Sequence, residues 1–313
     1  MPYILRKLLH GLLLVLGVTL ISFILMVWFG PDQTYNLIGK NATPQQIAEV
    51  RSQLGYDQPF IPRYADYVTD LFTLNLGSSS SSGELVSNLL QRTVPVTIIL
   101  MLPGFLLGNL LGVALGLIAA NQRGKWVDRF ISSLSVVGMS VSFLIIIIAL
   151  QVLLCTPFGI NLFPVRGWQV VDLPSYLLYV TVPTLALILV ALGYNTRFYR
   201  AVFVEEYTTD HIRTARAFGA SPAVLMWRHV LRNSLVPILT RVMFSIPLVL
   251  ISGSLLIESY FGIPGIGKAT FHAITSGDQP VLKAVVGLTA VLFVVIQIGT
   301  DLLYRWADPR IES

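Results

Sequence analysis

Six stretches of about twenty mostly apolar residues punctuate the chain, at about 9–29, 96–120, 130–155, 176–196, 235–257 and 281–303. A helix rising 1.5 Å per residue crosses the ~30 Å hydrocarbon core of a bilayer in about that length. The pattern therefore predicts an all-α polytopic membrane protein with six transmembrane helices. No small-residue cleavage pattern follows the first run, so residues 1–30 read as a retained N-terminal span and not a removed leader. Residues 31–94 are the one sizeable polar interruption. Within them Thr43-Pro44-Gln45-Gln46 carries a helix-start signature that Gly55 should stop. Pro59, Pro62 and the aromatics Tyr56, Phe60, Tyr64 and Tyr67 predict a compact cap. Ser78 to Ser82 reads as a flexible polar tract, either a linker or the lining of a surface where another protein docks.

The second interruption, at about 205–234, has a different design. Asp210 to Phe218 is composed of helix formers, with Ile212, Ala215 and Gly219 on one small-residue face. Gly219 supplies the left-handed stop of a helix, and Ser221-Pro222 places a capping side chain and a first-turn proline where the next helix begins. Helix, sharp turn and second helix make a rigid elbow, and the second helix is expected to run into the apolar stretch that begins near Leu235. Joined to membrane spans, such an elbow transmits a push on its tip to the helix it continues into.

Composition supports the membrane reading independently, with 54% hydrophobic and 12% charged residues against roughly 25% charged in ordinary soluble domains. Cations decide the orientation. With the N-terminus inside, Arg6, Lys7, Arg123, Lys125, Arg129, Arg197, Arg200, Arg213, Arg216, Arg228, Arg232, Arg305 and Arg310 fall on the cytoplasmic side. Lys40, Arg51, Arg63, Arg92, Arg166, Lys268 and Lys283 are spread over the longer outer segments. This bias predicts N-in and C-in topology, with 31–94 an extracytoplasmic cap and 95–313 the transmembrane core. The net charge of +5 then reports topology, not nucleic acid. A helix-turn-helix DNA reader built on Arg213, Arg216, Arg228 and Arg232 is excluded, because flanking spans leave it no freedom to enter a groove.

Several groups are candidates for function. Gly104, Gly108, Gly112 and Gly116 form one smooth stripe that lets another helix approach closely, in this chain or in a partner. Glu258, near the outer end of the fifth span, is a candidate contact for a pathway or gate, against a structural role. Asp301 and Arg241 are placed to pair with each other. Gly262 to Lys268 fits the first seven positions of a phosphate-binding loop, but Ala269 stands where a Ser or Thr must hold Mg²⁺. That segment reads instead as a break between short helices, with Phe261, Pro264 and Gly265 capping the path. His10, His211, His229 and His272 lack metal-ligand spacing, and Cys155 is the lone cysteine, so no metal site and no intrachain disulfide are expected.

The elbow residues also resemble those of a known family, the integral-membrane permease subunits of ABC importers. Aligned on Gly219, the EAA positions of the family's coupling loop fall on Arg213, Thr214 and Ala215. The run Ile212 to Gly219, followed by Arg228-His229 and Leu231-Arg232-Asn233, is similar to the dipeptide, oligopeptide and nickel branch. Leu54-Gly55-Tyr56-Asp57-Gln58-Pro59 with Tyr64, Leu76-Gly77 with Ser79, Phe163-Pro164-Val165-Arg166-Gly167, Phe261 with Pro264-Gly265-Ile266-Gly267, and Asp308-Pro309-Arg310-Ile311 resemble further family motifs in the same order. Gly30-Pro31-Asp32-Gln33 departs from the family's PGDP turn. The resemblance implies the type I importer permease fold in the inner membrane, and an ATPase-coupling loop containing Asp210, Arg213, Thr214, Ala215, Arg216, Gly219, Ala220 and Ser221. It further implies a homologous second permease, two cytosolic ATPases that use ATP and Mg²⁺, and an external substrate-binding protein. The chain itself would hold no cofactor, catalyse nothing and bind no nucleic acid. Its cargo would be di- or oligopeptides, alternatively nickel or a metal chelate. A self-contained channel or ion-coupled carrier lacks support, for the sequence has neither a filter-like repeat nor inverted halves.

Overall fold

The computed structural model describes residues 3–29, 34, 38–39, 43–53 and 55–307. The Gly30–Gln33 turn, Lys40, Leu54 and the tail Asp308–Ile311 lie outside the described residues, as do the side chains of Arg6 and Lys7. The described chain is helical, and an isolated bridge between Ser78 and Leu85 is the extended pairing found in it.

Five helices are long and apolar enough to cross a membrane: α1 (Tyr3–Phe29), α4 (Val86–Asn121), α7 (Leu173–Glu206), the run Leu235–Phe261, and α14 (Gln279–Ala307). Between α1 and α4 come α2 (Pro44–Gln53) and α3 (Phe60–Phe72). The expected cap on α2 is present. Thr43 N donates to Gln46 Oε1 at 3.0 Å, Gln46 N donates to Thr43 Oγ1 at 3.4 Å, and Gly55 adopts φ +69° just beyond the helix.

The continuous span expected at 130–155 is corrected. That run is two helices, α5 (Trp126–Ser140) and α6 (Phe143–Cys155), meeting at 97°. Val141 and Ser142 are extended between them, with ψ of 130° and 137°. Both arms are apolar, so hydropathy ran across a break marked only by Ser140-Val141-Ser142.

The glycine stripe of α4 packs on α7 of the same chain. A Cβ on Gly104 would stand 2.8 Å from Leu187 Cβ, on Gly108 2.8 Å from Ala191 Cβ, on Gly112 2.7 Å from Asn195 Cβ, and on Gly116 3.0 Å from Tyr199 Cβ. Four-residue spacing on one helix thus meets four-residue spacing on the other, and the two backbones come together along their length. Polar groups fasten the seam. Asn195 Nδ2 and Tyr199 Oη both donate to Asn109 Oδ1, at 3.1 and 2.8 Å. Arg200 clamps Asp128 of α5 through Nε and Nη2 at 2.5 and 2.7 Å, so the start of α5 is held against α7 by a bidentate pair.

The polar tract Ser78 to Ser82 is not a flexible linker. Asp278, buried at the corner between α13 (Ile266–Ser276) and α14, accepts from Ser79 Oγ (2.5 Å), Ser81 Oγ (2.7 Å), Ser80 N and Ser81 N (both 3.2 Å). Burial opposes the charge on Asp278, but these donors outweigh it and hold the carboxyl below the usual carboxylate range.

Candidate functional site

At one end of the bundle the chain leaves α7 and forms the elbow. Helix α8 (Asp210–Ala217) stops at Gly219, whose φ is +85°. Gly219 N donates to Arg216 O (3.0 Å) and Ala220 N to Ala215 O (3.2 Å), the paired bonds of a Schellman stop. Ser221 then accepts from Val224 N at 3.4 Å, and Pro222 opens the second arm. That arm departs from a plain α-helix. After α9 (Pro222–Val224) the backbone is a π-helix over Leu225–Val230, then α10 (Leu231–Asn233), before α11 (Leu235–Leu248) enters the bundle.

Packing makes the elbow rigid. Ile212 is fully buried among Leu117 and Ala120 of α4, Tyr199 and Phe203 of α7, and Leu225, Met226 and Val230 of the second arm. The other elbow side chains are spoken for locally. Arg213 pairs with Asp210 at 3.2 Å, Thr214 Oγ1 donates to Asp210 O, and Arg216 stacks on the Tyr207 ring at 4.9 Å. His211, which the sequence left as an ordinary polar residue, is a brace: its Nε2 lies 3.0 Å from Glu206 Oε1 and 2.8 Å from Asn233 Nδ2. It joins the end of α7, the first arm and the end of the second arm, and no spacing signal announces it. Apolar side chains of the elbow are bare, with Phe218 at the turn 88% exposed and Val224 and Trp227 of the second arm exposed as well.

From the elbow, α11 continues through a second π-segment, Val249–Gly253, into α12 (Ser254–Phe261) at the far end of the bundle. Here Glu258 is completely buried. Its Oε1 accepts from Thr97 Oγ1 at 2.5 Å and its Oε2 from Lys268 N at 3.0 Å, while Thr97 Oγ1 accepts from Ile266 N at 2.9 Å. Carboxylate and hydroxyl together satisfy the orphan donors that begin α13 and complement its dipole. Glu258 is thus committed to holding α13 on α12 and faces no open space within this chain. Gly265 and Gly267 permit the approach. A Cβ on Gly265 would collide with the Glu258 carboxylate, and one on Gly267 would lie 2.5 Å from Leu255 N.

Phe261 is core, packed with Ile257 and Ile263, and its carbonyl accepts from Gly167 N at 2.8 Å. The Phe163–Gly167 and Phe261–Gly267 motifs, far apart in sequence, are therefore neighbours. Pro264 and Gly265 reach a cavity of about 410 Å³ lined also by Ser81, Arg92, Lys268 and His272. Lys268 Nζ donates to Gly262 O at 3.2 Å, and the helix α12, not a strand, precedes the loop. Nothing there forms a phosphate cradle. Arg241 stacks over Phe198 at 5.4 Å. No three His, Cys, Asp or Glu side chains gather as a metal site among the described residues.

Comparison with known proteins agrees with this architecture. Residues 112–313 match the family described as binding-protein-dependent transport system inner membrane component, and residues 1–101 match its N-terminal region. The chain is 35% identical over 315 residues to a dipeptide transport system permease protein of Lactococcus lactis, covering 99% of each. It is 33% identical over 318 residues to a di/tripeptide transport system permease protein of Pseudomonas aeruginosa, covering 95% of this chain and 94% of the other. Among solved structures, a chain of the inward-facing MetNI methionine ABC transporter superposes with TM-score 0.57 at 19% identity, over 70% of this chain and 96% of that one. At that identity the likeness shows the fold.

Proposed function

Since this chain belongs to the family of binding-protein-dependent transport system inner membrane components, we propose that it forms one half of the path by which an ABC importer carries di- and oligopeptides into the cell. It is a multi-pass protein of the cytoplasmic membrane, working with ATPase and substrate-binding protein partners. The second half of the path is a homologous permease, and two cytosolic ATPases take the elbows of the two halves. ATP and Mg²⁺ belong to those ATPases; this chain hydrolyses nothing and holds no cofactor. Its N- and C-termini and the elbow lie inside, and the binding protein docks on the opposite face. Peptide as cargo is taken from the names of the Lactococcus and Pseudomonas relatives.

The observation that carries this reading is the elbow. Phe218 is bare while Ile212 behind it is fully buried, so a force on the tip moves the unit as a body. Asp210, Arg213, Thr214, Ala215 and Arg216 make its first arm, and Gly219, Ala220 and Ser221 fix the angle of the second. Displacement of that second arm passes into α11 and α12, and through Glu258 to α13. Closure of the ATPases on ATP would therefore reach Pro264 and Gly265 at the far mouth as well as the helices between. The test is reconstitution of the whole complex in liposomes with labelled dipeptide and the binding protein. ATP-dependent uptake is expected, and Phe218→Asp should abolish it while the chain still inserts. Uptake without ATP, or full activity of Phe218→Asp, would refute the coupling.

A further inference from the structure

Helix α3 carries two apolar stripes; one packs on the protein, and the other is exposed apart from the half-buried Val68. Phe60, Tyr64, Tyr67 and Leu71, spaced i, i+4, i+7, i+11, face the bundle. Phe60, Tyr64 and Tyr67 surround the buried Phe23 of α1 with ring centroids at 5.4, 5.6 and 5.5 Å. Tyr64 Oη donates to Leu16 O at 2.8 Å and shares a hydrogen bond with Thr19 at 3.1 Å, while Leu71 fills the space left by Gly287 of α14. The second stripe, Ile61, Ala65, Val68 and Phe72, has the same spacing one residue on. Ile61 is 77% exposed, Phe72 58%, and Leu74 just beyond the helix 75%. At 100° per residue the two stripes merge into one apolar arc of about 160°. Asp66, Thr69 and Asp70 occupy the opposite side.

Depth decides what meets the second stripe. Thr19 lies nine residues before Trp28, roughly 13 Å down the α1 axis from that end, and Leu16 lies deeper. Both belong to the apolar window Leu9–Trp28. A helix anchored to those residues stands beside the part of α1 that crosses the membrane, not above it. Ile21 and Leu25 of α1, within the same apolar window, are exposed on the chain's surface, and Trp28 at the end of that window stacks on Phe60 of α3 at 6.2 Å. Trp is favoured at the headgroup level.

We propose that α3 is an interfacial helix sunk into one leaflet, with Ile61, Val68, Phe72 and Leu74 in the acyl chains and Asp66, Thr69 and Asp70 toward the headgroups and water. It then serves as a lipid-seated buttress of α1 and α14, and the region expected to be an extramembrane cap is partly membrane. The test uses the whole complex in liposomes, in a Cys155→Ser background shown to keep its ATPase activity, with single nitroxide-labelled cysteines. Ile61→Cys and Phe72→Cys should match the lipid control Leu25→Cys, with a collision ratio of oxygen to a neutral nickel chelate several-fold above that of Asp66→Cys and Thr69→Cys. Equal ratios at all four α3 sites would overturn the proposal. Shielding of Ile61→Cys and Phe72→Cys from both reagents would overturn it too, by showing that another subunit covers the stripe. The readout is independent of which side carries α3, so an inverted topology leaves it intact.

Discussion

Replacing Gly219 tests the elbow most directly, because the structure separates backbone strain from crowding there. Its φ is +85°, and a Cβ built on it meets no atom within 4 Å. A substitution thus adds no clash and charges only the cost of the left-handed conformation, about 1–2 kcal/mol for an ordinary L-residue and highest for a β-branched one. Asn tolerates that region, so the cost should rise along Gly219→Asn, Gly219→Ala and Gly219→Val. Neither Ile212 nor the helix seam of α4 and α7 is touched, so membrane levels should stay normal. What competes is a re-aimed turn that breaks the Gly219–Arg216 and Ala220–Ala215 bonds. A bias of 1–2 kcal/mol shifts such an equilibrium roughly 5- to 30-fold. Peptide-stimulated ATP hydrolysis by the reconstituted complex should therefore fall in the order Asn, Ala, Val, with Gly219→Val losing most activity. Wild-type activity in Gly219→Val, or equal loss in Gly219→Asn and Gly219→Val, would show that turn geometry is not what the ATPases sense.

Orientation is checked by Ser80→Cys and Ser221→Cys, both exposed sites, against an impermeant thiol reagent on intact cells, the outer membrane permeabilised if there is one. Ser80→Cys should label and Ser221→Cys should not, while the native Cys155, being buried, stays silent; the reverse pattern would invert the topology. Lys268→Ala should leave ATP hydrolysis by the assembled complex largely intact, since Lys268 Nζ holds Gly262 O, and saturable ATP binding by the purified chain that vanishes in this variant would contradict that. Asp278→Asn should loosen the serine turn at a cost of about 1.5–3 kcal/mol, the range for hydrogen bonds to a charged group, read as a lower Tm of the complex. Because the folded Asp278 titrates below its ordinary value of 3.8, its contribution is complete above that pH and lost as pH falls through the lower, folded value. The stability gap between wild type and Asp278→Asn should accordingly narrow on acidification below about pH 4 and stay constant above it.

Local chemistry was legible in the residues themselves. A run of twenty apolar side chains requires a helix in hydrocarbon wherever its neighbours sit, because its backbone has no other way to satisfy its hydrogen bonds. The elbow was equally plain, since Gly219, Ser221 and Pro222 act on bonds that close within a few residues. The hold of Asp128 on Arg200, 72 residues along the chain, carried no such local sign. What the tertiary structure alone decided rests on pairs distant along the chain. Thr97 meets Glu258 across 161 residues and Ser79 meets Asp278 across 199, so neither the cap on α13 nor the lock on the serine turn could be read from neighbouring residues. The glycine stripe promised a close neighbour, yet any helix with matching small steps would fit it; only the assembled bundle assigns it to α7. The 97° break between α5 and α6 and the depth of α3 escaped notice for one reason. Hydropathy measures how apolar a segment is, whereas its direction and depth are set by the helices it packs on.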